Sequence, residues 1–313
     1  MGQNTLGIDI GGTRMRAATV AADGTVLARA ECLTPATAAP DAIIAQLAAL
    51  VLQVGQGHAP DTLLAAGVCA PGPLDVTRGM AIATPTIAGF VNYPLRDKIA
   101  AAIGLPTFLE HDGHAAAFGE WTFGAGRGHA NMVYVTISTG IGGGAIVDGA
   151  LQRGRQGMAA HVGHMTIDPN GPRCACGNYG CWEAMAAGPA FAATAQAAGF
   201  IDGASVFAAA RAGDAKAAGL IKDQSRWLAI GLVNLIHIYS PDLVVLGGGV
   251  TNGLDLMRPF LQLQITLRAM PPFRDVPFVQ AQLMDNAGIV GAAALGRARF
   301  MAGGDHDAAG AKL

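Results

Sequence analysis

The 313-residue sequence predicts an α/β fold built as two domains of like construction, and three observations carry that prediction. Apolar, β-prone stretches at 5–10, 15–20 and 26–33 form a meander, and strand and helix signals alternate after it. About 130 residues on, the same plan returns from Met132, as a duplication would produce. In each copy an apolar strand breaks at a glycine turn, and a third such turn, Gly247-Gly248-Gly249, follows a third apolar strand. A ligand cleft is expected between the copies.

Taken in order, the first strand breaks at Gly11-Gly12-Thr13 and the second turns at Asp23-Gly24. A helical period over 41–56 precedes an apolar strand at 63–69, which stops at Ala70-Pro71-Gly72-Pro73. A helix at 95–103 leads to a short strand, 107–110, which delivers His111-Asp112-Gly113-His114 ahead of a helix at 115–121. Charged groups at the C-terminal end of such a strand sit where open α/β sheets bind ligands. The second copy reads as a strand at 132–137, a glycine turn from Ser138 to Gly144, a strand at 145–147 and a tight turn at Asp148-Gly149. Helices at 189–198, 205–212 and 215–238 then precede the buried strand 243–246, and a last helix, 289–300, packs back on one of the domains. The expected division is 1–114 with 289–313 against 115–288. A disordered tail is expected from Gly303 on.

Residues 161–183 hold the densest chemistry. His164, Cys174, Cys176 and Cys181 supply one imidazole and three thiols, and Gly177 and Gly180 permit the turns that aim them at one point. That set suits tetrahedral Zn²⁺ in a structural role better than unrelated buried thiols. Asp9, just before Gly11-Gly12-Thr13, places a carboxylate ahead of a turn with outward amides, which suits a Mg²⁺-bound polyphosphate. No turn is followed by Gly-Lys-Ser/Thr and the dinucleotide spacing is missing, so the phosphate-binding fold is of another kind. Asp112 reads as a base able to take a proton from a hydroxyl, or as a helix N-cap.

With 13% charged residues and a net charge of -2 the chain has no basic field for nucleic acid, and the expected ligand is small. No apolar run suits a bilayer and no leader pattern opens the chain, so the expected location is cytoplasmic, without a membrane partner. Five cysteines, three of them in the cluster, suit a reducing compartment.

Read together, Asp9 to Thr13, Ala70 to Pro73, Asp112 to Glu120, Ser138 to Gly144, the cysteine cluster and Gly247 to Gly249 resemble the ROK family of sugar kinases. The resemblance implies the duplicated ribonuclease-H-like, actin-like ATPase fold, closing on ATP and a sugar, in a homodimer or homotetramer. It implies that Asp9, Gly11, Gly12, Thr13, Thr139, Gly140, Gly247, Gly248 and Gly249 contact Mg²⁺-ATP and that Asp112 deprotonates the 6-hydroxyl of a hexose. His164 and Glu183 would hold the sugar's C1/C2 end, with His164 also binding zinc. The family's Asn-Asp-x-Asn, Glu-x-Gly-His and Pro-Asn patterns appear here as His111-Asp112-Gly113-His114, His161-Val162-Gly163-His164 and Pro85-Thr86. Thr86, His111 and His161 thus replace groups that meet the sugar's C3/C4 edge. The preferred substrate is expected to differ from glucose there, as allose or an amino sugar does. Alternatively the replacements reproduce the old contacts, and glucose, mannose or N-acetylmannosamine remains the substrate. Two further readings, a non-catalytic sugar sensor and a sugar-responsive repressor, compete with the kinase; Asp112 argues against the first and the nearness of Asp9 to the start against the second.

Overall fold

A computed structural model describes residues 4–35, 39–55, 63–84 and 86–303. Gln56, Pro85 and the expected tail from 304 lie outside them. The elements run β1 (Asn4–Ile10), β2 (Arg14–Val20), β3 (Val26–Leu33), α1 (Pro40–Gly55), β4 (Leu63–Ala70), β5 (Leu74–Asp75), β6 (Met80–Ala83), β7 (Val91–Tyr93), α2 (Leu95–Ile103), β8 (Thr107–His111) and α3 (Asp112–Phe123). Then follow β9 (Met132–Ile137), β10 (Ile141–Val147), β11 (Ala150–Leu151), α4 (Trp182–Ala186), α5 (Gly188–Ala197), α6 (Gly203–Arg211) and α7 (Ala215–Tyr239). The chain finishes with β12 (Leu243–Gly247), α8 (Leu254–Arg268), β13 (Phe278–Gln280) and α9 (Ala287–Met301). No helix among the described residues is long and apolar enough to cross a membrane.

The two larger sheets have the orders β3-β2-β1-β4-β8 and β11-β10-β9-β12-β13. In the first, β1, β2 and β3 are an antiparallel meander while β4 and β8 run parallel to β1. In the second, β9, β12 and β13 are parallel and β10 and β11 form an antiparallel hairpin. This is the duplicated ribonuclease-H-like, actin-like plan expected from the sequence.

The chain divides into two compact units, one of Met1–Ala130, Gly144–Ala160 and Gln282–Leu313, the other of Asn131–Gly143 and His161–Ala281. The first unit thus takes in α3, which the expected division assigned to the second domain. Glycines explain the difference: a Cβ on Gly119 of α3 would meet the backbone of Ala287 and Gly291, and one on Gly291 of α9 would meet Ala115. The two helices pack backbone to backbone, and α9 presses equally closely on the sheet, where Gly7 faces Ile289 and Gly67 faces Ala292. On the sheet's other face α1 buries Ile43, Leu47, Leu50 and Val54, one stripe at helical spacing. Covered on both sides, β1 is buried along most of its length, and Leu6, Ile8 and Ile10 are each 0% exposed. Each contributes about 1.5–3 kcal/mol by burial. The edge strand β3 alternates between half-buried and exposed residues.

Two local expectations need correction. The glycine turn ends at Gly140, and Gly142, Gly143 and Gly144 lie inside β10. They serve close packing: a Cβ on Gly143 would meet the carbonyl of Tyr134, and one on Gly144 the side chain of Ala117. Helix α3 begins at Asp112, ahead of the expected start at 115. In the second unit Trp182, 0% exposed, lies on Gly231 of α7 and donates its indole N–H to the carbonyl of Trp227 at 3.1 Å. The stretch that the sequence reading passes over holds α8, which carries Pro259 in its interior, and β13.

Candidate functional site

In the first unit the candidate residues lie at the C-terminal edge of three parallel strands. The register sets Asp9 of β1 beside Cys69 of β4, and Cys69 beside Glu110 of β8. Further on, β1 breaks into Gly11-Gly12-Thr13, and β8 ends at His111 and gives way to Asp112. The glycine turn is closed by Gly11 N–H donating to the carbonyl of Arg14 at 2.9 Å and by the Thr34 hydroxyl donating to the Gly11 carbonyl at 2.6 Å. Gly12 has no room for a side chain because Thr86 lies against it. Thr86, expected on the sugar's C3/C4 edge, therefore backs the Gly11-Gly12 turn.

Asp9 accepts a hydrogen bond from Nη1 of Arg16 at 3.1 Å, and the Cys69 thiol lies 3.6 Å from its other oxygen. Burial raises its pKa, Arg16 opposes that, and the charge of Asp112 adds to the rise. Two neighbouring carboxylates whose charges oppose each other suit a hard divalent cation, so the oxygen donors here fit Mg²⁺. Asp112 is the first residue of α3, with His111 at the cap position. One carboxylate oxygen accepts the Gly113 N–H at 2.6 Å and lies 3.3 Å from Nδ1 of His111, while the side chain as a whole is 46% exposed. Asp112 is therefore not the expected N-cap, a position that falls to His111, and its carboxylate stays accessible. His111 is buried, and burial holds its pKa below the ordinary imidazole value despite the pull of Asp112. The neutral ring thus carries one donor and one acceptor. His114, the other departure in this motif, is wholly buried, with Nδ1 3.2 Å from Glu110 and Nε2 3.0 Å from the Ala159 carbonyl, so both ring nitrogens are engaged within the protein.

In the second unit two glycine turns end neighbouring parallel strands, β9 and β12, whose register pairs Thr136 with Gly247. Gly248 has φ 85° and lies against the Ile137 carbonyl, so only glycine fits. The turn at Ser138, Thr139 and Gly140 is closed by Ser138 N–H on the Gly140 carbonyl at 2.8 Å and pinned by Gly188 N–H on the Ser138 carbonyl at 2.7 Å. Glu183 braces it, accepting the Ile141 N–H at 2.9 Å with its carboxylate against Gly140. An open cavity of about 230 Å³ lies beside it, lined by Thr139, Arg173, Glu183 and Pro189 among others.

The ligand atoms of His164, Cys174, Cys176 and Cys181 all lie within 4.8 Å of one another. Cys174 Sγ is 3.7 Å from Nδ1 of His164 and Cys176 Sγ is 3.6 Å from Cys181 Sγ. Tetrahedral Zn²⁺ with bonds of about 2.3 Å calls for sulfur separations of about 3.8 Å, so the four residues fit it. Burial, then Cys176 and Cys174, push the Cys181 thiol up to about 12, a cost that a bound cation would offset. Gly177 at φ 95° and Gly180 at φ 62° make the expected turns. The His161 and His164 rings are near-parallel, with centroids 6.3 Å apart, flanking a single 3-10 turn.

The structure thus gathers Asp9, Gly11, Gly12, Thr13, Thr86, His111 and Asp112 in one unit, and Thr139, Gly140, His161, His164, Glu183 and the Gly247 to Gly249 turn in the other. Sequence reasoning missed Arg16, which pairs with Asp9, and Glu110, which is buried at the end of β8. A lone carboxylate closing an apolar strand beside Asp112 was the available signal for Glu110.

Residues 5–299 match the ROK family. A glucokinase of Streptomyces coelicolor is 35% identical over 316 residues, an alignment that covers 94% of this chain and 97% of that one. An N-acetylmannosamine kinase of Escherichia fergusonii is 37% identical over 296 residues, covering 93% and 97%. Among solved structures, a ROK family glucokinase from Streptomyces griseus in complex with glucose and AMPPNP has a TM-score of 0.82 at 34% identity, covering 94% of this chain and 99% of that chain.

Proposed function

Because this chain belongs to the ROK family, we propose that it is an ATP-dependent sugar kinase that phosphorylates the 6-hydroxyl of a hexose or hexose derivative. The observation that carries this reading is Asp112, half exposed at the start of α3 and electrostatically coupled to Asp9 at the edge of the same parallel strands. With one oxygen held by the Gly113 N–H, the other is free to accept the proton of the attacking hydroxyl. Gly11 to Thr13, Thr139, Gly140 and Gly247 to Gly249 present backbone amides to the phosphates of ATP. Asp9 would hold Mg²⁺, which supplies charge neutralisation at the phosphoryl oxygens when bound.

On the sugar side, His161, His164 and Glu183 bind the hydroxyls, joined by His111 on the C3/C4 edge. Glu183 spends one oxygen on the Ile141 N–H and keeps the other for the sugar. The Nδ1 of His164 faces Cys174, which leaves Nε2 for a hydroxyl. His164, Cys174, Cys176 and Cys181 would hold a structural Zn²⁺ that fixes this loop and takes no part in the chemistry. The same reading takes the protein as a cytoplasmic homo-oligomer.

The test is a coupled ATPase assay with glucose, allose, galactose, mannose and their amino and N-acetyl forms. A clear preference for a sugar altered at C3 or C4 supports a specificity set by His111 and His161. Preference for glucose or N-acetylmannosamine means that these residues reproduce the relatives' contacts. Sugar binding without any ATP turnover would identify a non-catalytic sensor and overturn the kinase reading.

A further inference from the structure

Glu110 is 1% exposed, and its carboxylate meets four donors. One oxygen accepts the backbone N–H of His111 at 3.1 Å and faces Nδ1 of His114 at 3.2 Å. The other accepts from Nε of Arg153 and Nη2 of Arg299, each at 2.8 Å. Arg299 also donates to the Leu109 carbonyl at 2.8 Å, and His114 reaches past Glu110 to the Ala159 carbonyl at 3.0 Å. The His114 ring is thus fastened at both ends, between the Glu110 carboxylate and the Ala159 carbonyl. Burial alone would push Glu110 up, yet His114, Arg299 and Arg153 together hold it below the usual carboxylate range. A carboxylate so saturated has no lone pair to offer a substrate.

We propose that Glu110, acting through His114 and Arg153, is the positioning residue for Asp112, an inference that rests on the kinase reading above. Glu110 grips the chain on both sides of Asp112, at the N–H of His111 before it and the ring of His114 after it. Arg153 and the Ala159 carbonyl tie this turn to the segment from 153 to 160. That segment is strained, since Gln156 at φ 58° and Ala160 at φ 59° are left-handed non-glycine residues. It is held in place by Gln156, whose amide donates to Asp75 at 3.1 Å and whose carbonyl accepts the Val76 N–H at 3.0 Å. Buried ion clusters contribute little net stability against apolar substitutes, so the service of this one is geometric. A base displaced by about 1 Å loses up to a hundredfold in rate.

The test uses the full chain with Arg153→Met, Arg153→Lys and Glu110→Gln. Arg153 is the more exposed end of the cluster, its side chain 18% exposed against 2% for the side chain of Glu110, so Arg153→Met decides the matter if Glu110→Gln fails to fold. The expected result is a kcat lowered about tenfold to a hundredfold, KM for sugar and for ATP within about twofold, and partial recovery in Arg153→Lys. Amide hydrogen exchange should rise in 107–114 and 153–160 and stay unchanged in α1 and α7. A folded Arg153→Met with wild-type kcat and exchange overturns the proposal, as does a change confined to KM, which would make Arg153 a binding residue. If the wild-type protein phosphorylates no sugar, the kinase reading fails, while the exchange measurement still decides whether the network holds the Asp112 turn.

Discussion

The cysteine cluster and the Asp112 turn carry comparable amounts of chemistry and are built in opposite ways. The cluster draws all four ligands from a single short loop, shapes it with Gly177 and Gly180, and fastens it through Trp182 to Gly231. The Asp112 turn draws on β8, the 153–160 segment and α9, which are far apart in the chain and converge on Glu110. A local construction fails locally when a ligand is lost. A distributed one fails wherever any of its remote supports is removed, and it fails in rate before it fails in stability.

The largest effect that would sharpen this contrast is expected from Cys176→Ala. Structural zinc in small domains contributes about 10–16 kcal/mol of apparent binding energy, so the variant should lose about one zinc per chain and the order of 161–183. Metal analysis with hydrogen exchange checks it; an unchanged metal content breaks the local account. Next comes Asp112→Asn, which keeps the shape but not the proton acceptor. It should lower kcat by about 10²–10⁴-fold with sugar affinity and zinc content retained. Wild-type turnover in that variant would remove Asp112 from the mechanism.

Gly231→Ala places a methyl group against the Trp182 ring and is expected to cost about 1–3 kcal/mol, read as a lowered Tm. Its hydrogen exchange should rise around 181–186 and not around Glu110; a rise at both would show that the two regions are not independent. The smallest effect concerns His111→Asn, expected to change discrimination between glucose and its C3 or C4 variants by about tenfold, or about 1.4 kcal/mol. Because burial holds His111 below its ordinary value of 6.5, the neutral ring persists as pH falls through that value. The stability tied to it is fully present above 6.5 and is lost progressively as pH falls from there through the lower folded-state pKa. The kcat/KM of the wild type should therefore show no imidazole step near 6.5 from this residue, and such a step, abolished in His111→Asn, would contradict its neutrality.

The sequence by itself determined the elements whose signal is periodic or local: the two meanders, α1, α2, α7, the strands that end in glycine turns, and the four ligands of the cluster. Period and turn chemistry are properties of neighbouring residues, so they survive without a fold around them. Only the tertiary structure decided what depends on residues meeting from a distance. Gly143 and Gly144 look like turn residues in the chain, and they are strand residues because Tyr134 and Ala117 leave no space for a side chain. His114 reads only as a departure from the Asn-Asp-x-Asn pattern, and the fold buries it between Glu110 and Ala159. Glu110, Arg153 and Arg299 carry no motif, because the energy of a buried charge depends on which partners surround it and not on its neighbours in sequence.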